Sequence, residues 1–163
     1  TVNTLTGSAS DLITAYASGG ISNLGNEAVT LTDTTLAVSV LNTLDGNTSG
    51  AINASNITTL TGAAADLNTA YAANGSSITG LGNESATLSD TTLAVSVLNT
   101  LDGNTSGTIN ASNITTLTSD DYDSLNTAYT SANGGSITGL GDEAISVSSR
   151  IRVSEANTLN DHT

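Results

Sequence analysis

The sequence lacks cysteine, proline, methionine, tryptophan and phenylalanine, and four tyrosines are its only aromatic residues. Without cysteine the chain forms neither a disulfide nor a thiolate metal site. A compact core normally uses large side chains to fill its centre. Here the apolar stock is Leu, Ile, Val and Ala, which fill a thin interior better than a broad one. The composition therefore favours a narrow solenoid over a thick globule.

Positive charge is almost absent, since lysine is missing and Arg150 and Arg152 are the only arginines. Fifteen acidic residues bring the formal net charge to −13 at pH 7. We expect no nucleic-acid partner, because the chain has nothing to neutralise phosphates, and an anionic membrane surface would repel it. No apolar run approaches the roughly 18–20 residues of a membrane span, so we also expect no membrane insertion.

A long internal repeat is what the chain does have. Residues 31–62 recur as residues 88–119, and the two stretches differ at only three positions. Each unit divides into related halves, because DLNTAYAANGSSI (66–78) and VLNTLDGNTSGTI (97–109) both carry Leu-Asn-Thr and place Ile at the same distance after that Leu. Such periods indicate stacked repeats. We predict a repeat solenoid of about six stacked, β-rich α/β coils, each of about 28 residues with short strands and one short helix.

The predicted coils form a single solenoid array over residues 1–163. The sequence opens inside a repeat-like segment, TVNTLTG, so we interpret it as an excerpt of a longer array whose partners are neighbouring repeats. Open strand edges at the ends of the coils also make end-to-end self-association an expectation. The last coil diverges, either as a capping repeat or as the start of another repeat subtype. The coils cover roughly 1–29, 30–57, 58–86, 87–114, 115–145 and 146–163.

Apolar residues recur once per coil and predict four core rows. Short strands such as ITTLT (57–61) and SATLS (85–89) carry the first row, and a short helix around Leu-Asn-Thr carries the second and third. The segment TLAVSV (92–97) alternates like a strand, and a short strand opens at the fourth row. The rows are Leu5, Leu31, Leu60, Leu88, Leu117 and Val147; Leu12, Leu41, Leu67, Leu98, Leu125 and Ala156; Ala15, Leu44, Ala70, Leu101, Ala128 and Leu159; and Ile21, Ile52, Ile78, Ile109 and Ile137.

Two loops fit most of a calcium-binding pattern, DGNTSGAINASN (45–56) and DGNTSGTINASN (102–113). Oxygen side chains at alternating positions around a Gly turn can wrap a hard cation. Position 12 holds Asn instead of a bidentate carboxylate, and the equivalent stretch 71–82 lacks the ligands, so a turn without metal is the alternative interpretation. Calcium is the one cofactor that the sequence raises. Its candidate ligands are Asp45, Asn47, Ser49, Asp102, Asn104 and Ser106.

A Thr-x-Thr pattern, with Ser in two copies, also recurs once per coil. If the central residue points inward, both hydroxyl residues point outward, because strand side chains alternate. Two parallel rows of hydroxyls would then resemble the ice-binding surfaces of β-solenoid antifreeze proteins. The alternative is that Thr and Ser simply suit a solvent-facing strand. The copies lie at 4–6, 30–32, 59–61, 87–89, 116–118 and 146–148.

An asparagine follows five of the six members of the second core row. Asn ladders satisfy backbone groups between the coils of repeat proteins, so we predict a structural role for this one. Its members are Asn42, Asn68, Asn99, Asn126 and Asn157.

No catalytic constellation emerges from the sequence, and we predict that the protein is not an enzyme. His162 is a lone histidine near the end of the chain and is interpreted as a frayed surface residue. Asp66, Asp123 and Glu84 are interpreted as solvated or helix-capping carboxylates.

The phrases ITTLTGAAADLNTAYA, ITGLGNE and TLSDTT…VLNTLDGNTSGTINAS resemble tandem repeats of very large exported proteins, especially in marine cyanobacteria and some proteobacteria. The resemblance covers nearly the whole chain and implies no catalytic residue. It implies an extracellular or cell-surface location and a structural or adhesive role, with calcium-binding modules elsewhere in the chain. We therefore expect a stalk, spacer, surface-layer or filament component.

Overall fold

The computed structural model describes residues 2–162, which form an α/β fold of six helices and twelve short strands. One short helix falls in each predicted coil. The helices together are longer than the strands together, so the predicted β-rich character is wrong. The helices are α1 (Ala9–Tyr16), α2 (Val38–Asp45), α3 (Ala64–Ala73), α4 (Val95–Asn104), α5 (Tyr122–Gly134) and α6 (Val153–Asn160).

The strands form three sheets, and all of their described pairings are parallel. The strands are β1 (Thr4–Gly7), β2 (Ala28–Leu31), β3 (Thr35–Ala37), β4 (Ile52–Asn53), β5 (Thr59–Gly62), β6 (Ile78–Thr79), β7 (Ser85–Leu88), β8 (Thr92–Ala94), β9 (Ile109–Asn110), β10 (Thr116–Ser119), β11 (Ile137–Thr138) and β12 (Ala144–Val147). The first sheet has the order β1-β2-β4-β6, the second β3-β5-β7-β9-β11, and the third β8-β10-β12.

The helices form where the second and third apolar rows were predicted. Leu12, Leu41, Leu67, Leu98 and Leu125 are buried, one on each of the first five helices. Leu44, Ala70, Leu101, Ala128 and Leu159 are buried along α2 to α6, so each helix turns one apolar stripe inward. These two rows are therefore confirmed at those positions, whereas Ala15 and Ala156 are half-buried.

The predicted strand over TLAVSV is shorter than expected. Strand β8 ends at Ala94 and α4 begins at Val95. Val95, Leu98 and Leu101 are all buried at helical spacing, so burial of three apolar side chains outweighs the alternating pattern. The equivalent helix α2 begins directly after β3 in the same way.

The predicted first core row is wrong in register. Leu5 pairs with Val29, not with Leu31, and Leu60 pairs with Ala86, not with Leu88. The Thr-x-Thr copies are displaced in the same way, and they fall in pairs into three separate sheets instead of one continuous ladder. Outward rows such as Thr61, Thr87, Asn110 and Thr138 mix hydroxyls with an amide.

The fourth row is confirmed only as two adjacent pairs. Ile52 pairs with Ile78 in the first sheet, and Ile109 pairs with Ile137 in the second. Ile109 takes Ala86 as its other partner, so the row does not run on from Ile78. Ile21 lies outside the strands and is half exposed.

Helices and strands repeat at different intervals along the chain. Over the four steps from α2 to α6, the first helical residue advances from Val38 to Val153. Over the four steps from β3 to β11, the paired residues of the second sheet advance only from Leu36 to Ile137. The second sheet consequently begins with β3, directly before a helix, and ends with β11, shortly after one.

Asparagine side chains join consecutive helices. The Nδ2 groups of Asn42, Asn68 and Asn99 donate to the main-chain oxygens of Asp66, Val97 and Ser124 on the next helix, at 2.9 to 3.1 Å. The predicted role of the Asn row is thus confirmed for three of its members. Asn126 instead accepts a bond from Tyr122 of its own helix.

Gly107 provides a test of the close contact between successive turns of the chain, where one turn means one of the units of about 28 residues that contain one helix. A Cβ atom at this position would lie 2.2 Å from the main-chain oxygen of Glu84. Overpacking of this kind typically costs about 1–3 kcal/mol, so Gly107→Ala is expected to lower the free energy of unfolding by at least that amount in urea denaturation. Gly103→Ala is the matched control, because nothing lies within 4 Å of the added methyl and Ala favours helix. Equal stabilities of the two variants would contradict the contact.

Candidate functional site

The predicted calcium ligands lie at the ends of α2 and α4 and in the loops that follow. The Oγ atoms of Ser49 and Ser106 donate to the main-chain oxygens of Gly25 and Gly82, each at 3.2 Å. In both loops the candidate ligand serine is therefore bonded to the main chain of the preceding unit.

The remaining candidates do not form a common set of contacts. Asp102 accepts a bond from Ser131 at 2.7 Å, and Asn104 donates to Asn68 at 3.0 Å. Asp45 has one buried carboxylate oxygen, Oδ1, without a hydrogen-bond partner. Within residues 2–162 no group of three or more His, Cys, Asp or Glu side chains could hold a metal ion.

The asparagine at position 12 of each loop has a structural contact. Asn56 and Asn113 donate from Nδ2 to the main-chain oxygens of Leu31 and Leu88, both at 2.7 Å. An amide can donate this bond and a carboxylate cannot. The contact accounts physically for Asn at the position where a calcium loop has Glu.

Three glutamates, which the sequence analysis missed, are buried in the described part of the chain and accept the same type of main-chain hydrogen bond. Glu27 and Glu84 are fully buried and Glu143 is 3 % exposed. The interpretation of Glu84 as a solvated or capping carboxylate is therefore wrong, whereas Asp66 and Asp123 are exposed in the first turns of α3 and α5. The signal that could have revealed the set is the recurring Leu-Gly-Asn/Asp-Glu, which ends at each of these glutamates.

A glycine two positions earlier holds each carboxylate. The main-chain N–H groups of Gly25, Gly82 and Gly141 donate to the Oε2 atoms of Glu27, Glu84 and Glu143 at 2.7 to 2.8 Å. All three glycines have a positive φ of 124° to 135°, a conformation that residues with a Cβ rarely adopt. The backbone turn thus positions the donor.

A tyrosine from the preceding helix faces each carboxylate. The Tyr71 hydroxyl donates to Glu84 Oε2 at 3.2 Å, and the Tyr129 hydroxyl donates to Glu143 Oε1. Tyr16, at the end of α1, lies beside Glu27, and burial first, then the charge of Glu27, raises the pKa of Tyr16. We call these three Tyr and Glu combinations the Tyr–Glu pairs.

The following turn of the chain also reaches the glutamates. The hydroxyls of Thr48 and Thr105 donate to the main-chain oxygens of Glu27 and Glu84 at 3.0 and 2.7 Å. The same hydroxyls accept the N–H groups of Gly50 and Gly107, both at 3.0 Å. Glu27 and Glu84 are therefore each bonded to a threonine of the following turn of the chain.

Burial and charge set the protonation of the Tyr–Glu pairs. Burial, with the charge of Glu84, raises the pKa of Tyr71 to about 12. Burial first, then the bond to Glu143 and its charge, raises the pKa of Tyr129. The N–H of Gly25 lowers the pKa of Glu27 against the opposing effect of burial. At neutral pH the Tyr16, Tyr71 and Tyr129 phenols are thus protonated, and Glu27 is ionised and accepts the N–H of Gly25. The Tyr71 and Tyr129 hydroxyls donate to their glutamates, whereas the buried Tyr16 hydroxyl has no hydrogen-bond partner among the described residues.

His162 is not frayed, contrary to the sequence interpretation. Its ring stacks on Tyr129, with the ring centroids 5.0 Å apart and the planes 4° from parallel. This histidine is half-buried and covers the tyrosine of the third Tyr–Glu pair.

Aspartates cap helices across the gap between turns. Asp33 and Asp90 accept the N–H groups of Ala9 and Ala64, the first residues of α1 and α3, both at 2.8 Å. Asp121 caps its own helix, α5, by accepting the N–H of Ser124 at 2.7 Å. The first N–H groups of a helix have no partner within the helix, and Asp33 and Asp90 supply that partner from the following turn of the chain.

The chain matches no protein-family model, and no curated protein or solved structure is significantly similar to it. Among the described residues, no helix combines the length and the apolar character needed to cross a membrane.

The first test of the Tyr–Glu pairs uses alkaline pH. The Tyr71 phenol ionises near pH 10 in the unfolded chain and at about 12 in the fold, so its contribution is intact below pH 10 and is lost as the pH rises to 12. Tyr71→Phe removes this proton. We expect urea denaturation from pH 8 to 12 to show a shallower alkaline loss of stability in the variant, and a cost of about 0.5–1.5 kcal/mol at pH 8 for the lost hydrogen bond. Identical slopes would contradict the assignment.

The second test uses acid pH. Because the pKa of Glu27 is lowered in the fold, its stabilising effect is present above the unfolded value near 4.3 and is lost as the pH falls through the folded value. Glu27→Gln cannot take up that proton. The difference in unfolding free energy between parent and variant should therefore shrink from pH 7 to pH 3. Comparing the two proteins cancels the titration of the other carboxylates, and a difference independent of pH would count against the charged state of Glu27.

Proposed function

We propose that the chain is a structural segment of an elongated extracellular repeat protein, acting as a stalk, spacer, surface-layer or filament component. The observation that carries this proposal is the nearest-neighbour character of the contacts. The main helix–helix contacts join consecutive helices, from α1 with α2 to α5 with α6. Strands likewise pair with partners about one turn away. Contacts of this kind are typical of solenoids, which gain length by adding turns.

The interior supports a structural role over a catalytic one. The three glutamates accept bonds from main-chain N–H groups, and Glu84 and Glu143 also accept bonds from phenols. Burial keeps these carboxylates away from solvent, and the raised pKa of Tyr71 keeps its phenol protonated at neutral pH. We therefore propose that the Tyr–Glu pairs link turns and do not carry out chemistry.

The surface supports an extracellular or cell-surface location. With no lysine and two arginines, the chain offers trypsin-like proteases two cleavage positions, Arg150 and Arg152. A net charge of −13 favours solubility. Calcium binding by the DGNTSG loops and ice binding by the Thr-x-Thr strands stay predictions.

Chain extension tests the proposed solenoid. Residues 88–119 nearly repeat 31–62, so a second or third copy of residues 31–87 can be inserted after residue 87 without a foreign junction. Each copy adds two helices, which pack about 8–10 Å apart. Small-angle scattering should therefore show the maximum dimension growing by about 16–20 Å per copy. A radius of gyration that follows the power law of compact domains, with an exponent of about 0.38, would contradict the proposal.

A further inference from the structure

The Tyr–Glu pairs distribute their hydrogen bonds differently over the two oxygens of the carboxylate. In the third pair the donors are divided, because the Tyr129 hydroxyl donates to Oε1 of Glu143 and main-chain N–H groups donate to Oε2. In the second pair the donors converge, because Oε2 of Glu84 accepts both a main-chain N–H and the Tyr71 hydroxyl. Oε1 of Glu84 is buried and has no hydrogen-bond partner among the described residues.

The first pair also leaves one carboxylate oxygen open. Oε2 of Glu27 accepts the N–H groups of Gly25 and Asn26 at 2.7 and 3.1 Å, whereas Oε1 is buried without a partner in the described chain. The Tyr16 hydroxyl beside it is buried and unpartnered in the same way. Buried side-chain polar atoms in folded proteins nearly always have a protein or water partner. The first pair therefore needs a group that bonds to an acceptor and to a donor.

Adjoining turns do not supply the bond that Glu84 lacks. The second pair lies in the middle of the described residues, with a complete turn before it and another after it. The bonds to the side chain of Glu84 come from its own turn, and the following turn contributes only the Thr105 hydroxyl, which bonds to the main chain. The open oxygen is therefore a property of the pair and not of the ends of the sequence.

A threonine of the following turn adds a further acceptor beside the open oxygen. The Thr105 hydroxyl donates to the main-chain oxygen of Glu84 at 2.7 Å and accepts the N–H of Gly107 at 3.0 Å. A hydroxyl oxygen has two lone pairs, so Thr105 is able to accept one more hydrogen bond. Thr105 and Glu84 both adjoin the Tyr71 phenol. The three side chains thus bring a phenol, a carboxylate and a hydroxyl together between two turns.

We propose that one buried water molecule binds in each of the first two Tyr–Glu pairs and links consecutive turns of the chain. In the second pair the water donates to Oε1 of Glu84 and to Oγ1 of Thr105. In the first pair it donates to Oε1 of Glu27 and to Oγ1 of Thr48, and it accepts the O–H of Tyr16. Buried waters typically make two to four hydrogen bonds to polar groups that are otherwise unsatisfied.

The chemistry of the open atoms selects water as the ligand. The ligand has to donate to a carboxylate oxygen, and in the first pair it also has to accept the O–H of Tyr16. A water molecule does both, whereas a metal ion accepts no hydrogen bond. Calcium takes about six to eight oxygen ligands, which is more than the open side-chain oxygens of one pair and its threonine provide. The proposed water does not depend on the role of the segment in a longer protein.

A crystal structure of the 163-residue chain, at a resolution that shows ordered solvent, tests the proposal. We expect one water oxygen about 2.5–3.0 Å from Oε1 of Glu84 and another at the same distance from Oε1 of Glu27. Glu143 is the internal control, because both of its oxygens already accept bonds, and it should carry no water. The proposal is overturned if Tyr71 donates to Oε1 instead, as Tyr129 does, or if a metal ion occupies the site.

Opening the third pair tests the same rule in solution. Tyr129→Phe removes the donor to Oε1 of Glu143, so this pair should then take up a water as the other two do. Oxygen-17 relaxation dispersion of the solvent counts long-lived internal waters, and the count should rise by one per chain. Tyr122→Phe is the matched control, because its hydroxyl bonds to Asn126 of its own helix, and it should leave the count unchanged. An equal count in Tyr129→Phe and the parent would overturn the assignment.

Discussion

The structure depends on reconciling two packing distances. Neighbouring strands in a sheet lie about 4.7–4.9 Å apart, whereas packed helices lie about 8–10 Å apart. A chain that adds one helix and one strand to a sheet with every turn cannot satisfy both distances by straight stacking. Here strand partners are closer together in the sequence than successive helix starts are. Each successive strand of a sheet therefore lies further before its helix in the sequence than the previous strand does, and we call this offset the slide. At roughly 3.3 Å per residue, this slide supplies the extra displacement that the helices require.

The same slide changes the position of each sheet relative to the helices. The second sheet begins against the start of α2 and, at its fifth strand, has reached the residues just after α5. A new sheet has by then begun at β8, which occupies the same place in the second copy of the long repeat as β3 does in the first. The repeat of two turns is therefore the interval at which sheets are renewed, and the Tyr–Glu pairs recur with it.

The sequence predicted the helices well and the sheets only in part. Leu-Asn-Thr marks α2 to α5 because its Leu is buried on every one of them and the Asn side chains of α2 to α4 bridge to the next helix. Strand register was mispredicted because Val29 and Leu31 face the same side of the strand. A shift of two residues in the pairing therefore keeps the apolar side chains inward. Periodicity therefore cannot distinguish the two registers. Glu84 was misjudged because its burial depends on N–H and phenol donors that only the fold brings together.

The aspartate caps have a consequence for how such a sequence can be duplicated. Asp33 and Asp90 in the next turn accept the first N–H groups of α1 and α3, and Ser8 also caps α1 within its own turn, while α2 and α4 start directly from a strand without any side-chain cap. If a single turn with a helix such as α1 or α3 were copied, the helix would be followed by a turn without the aspartate that accepts its first N–H group. Recombination that copies two turns preserves every donor and acceptor. The unit that recurs nearly unchanged, as residues 31–62 and 88–119, is the one of two turns, whereas the half-units are only distantly similar.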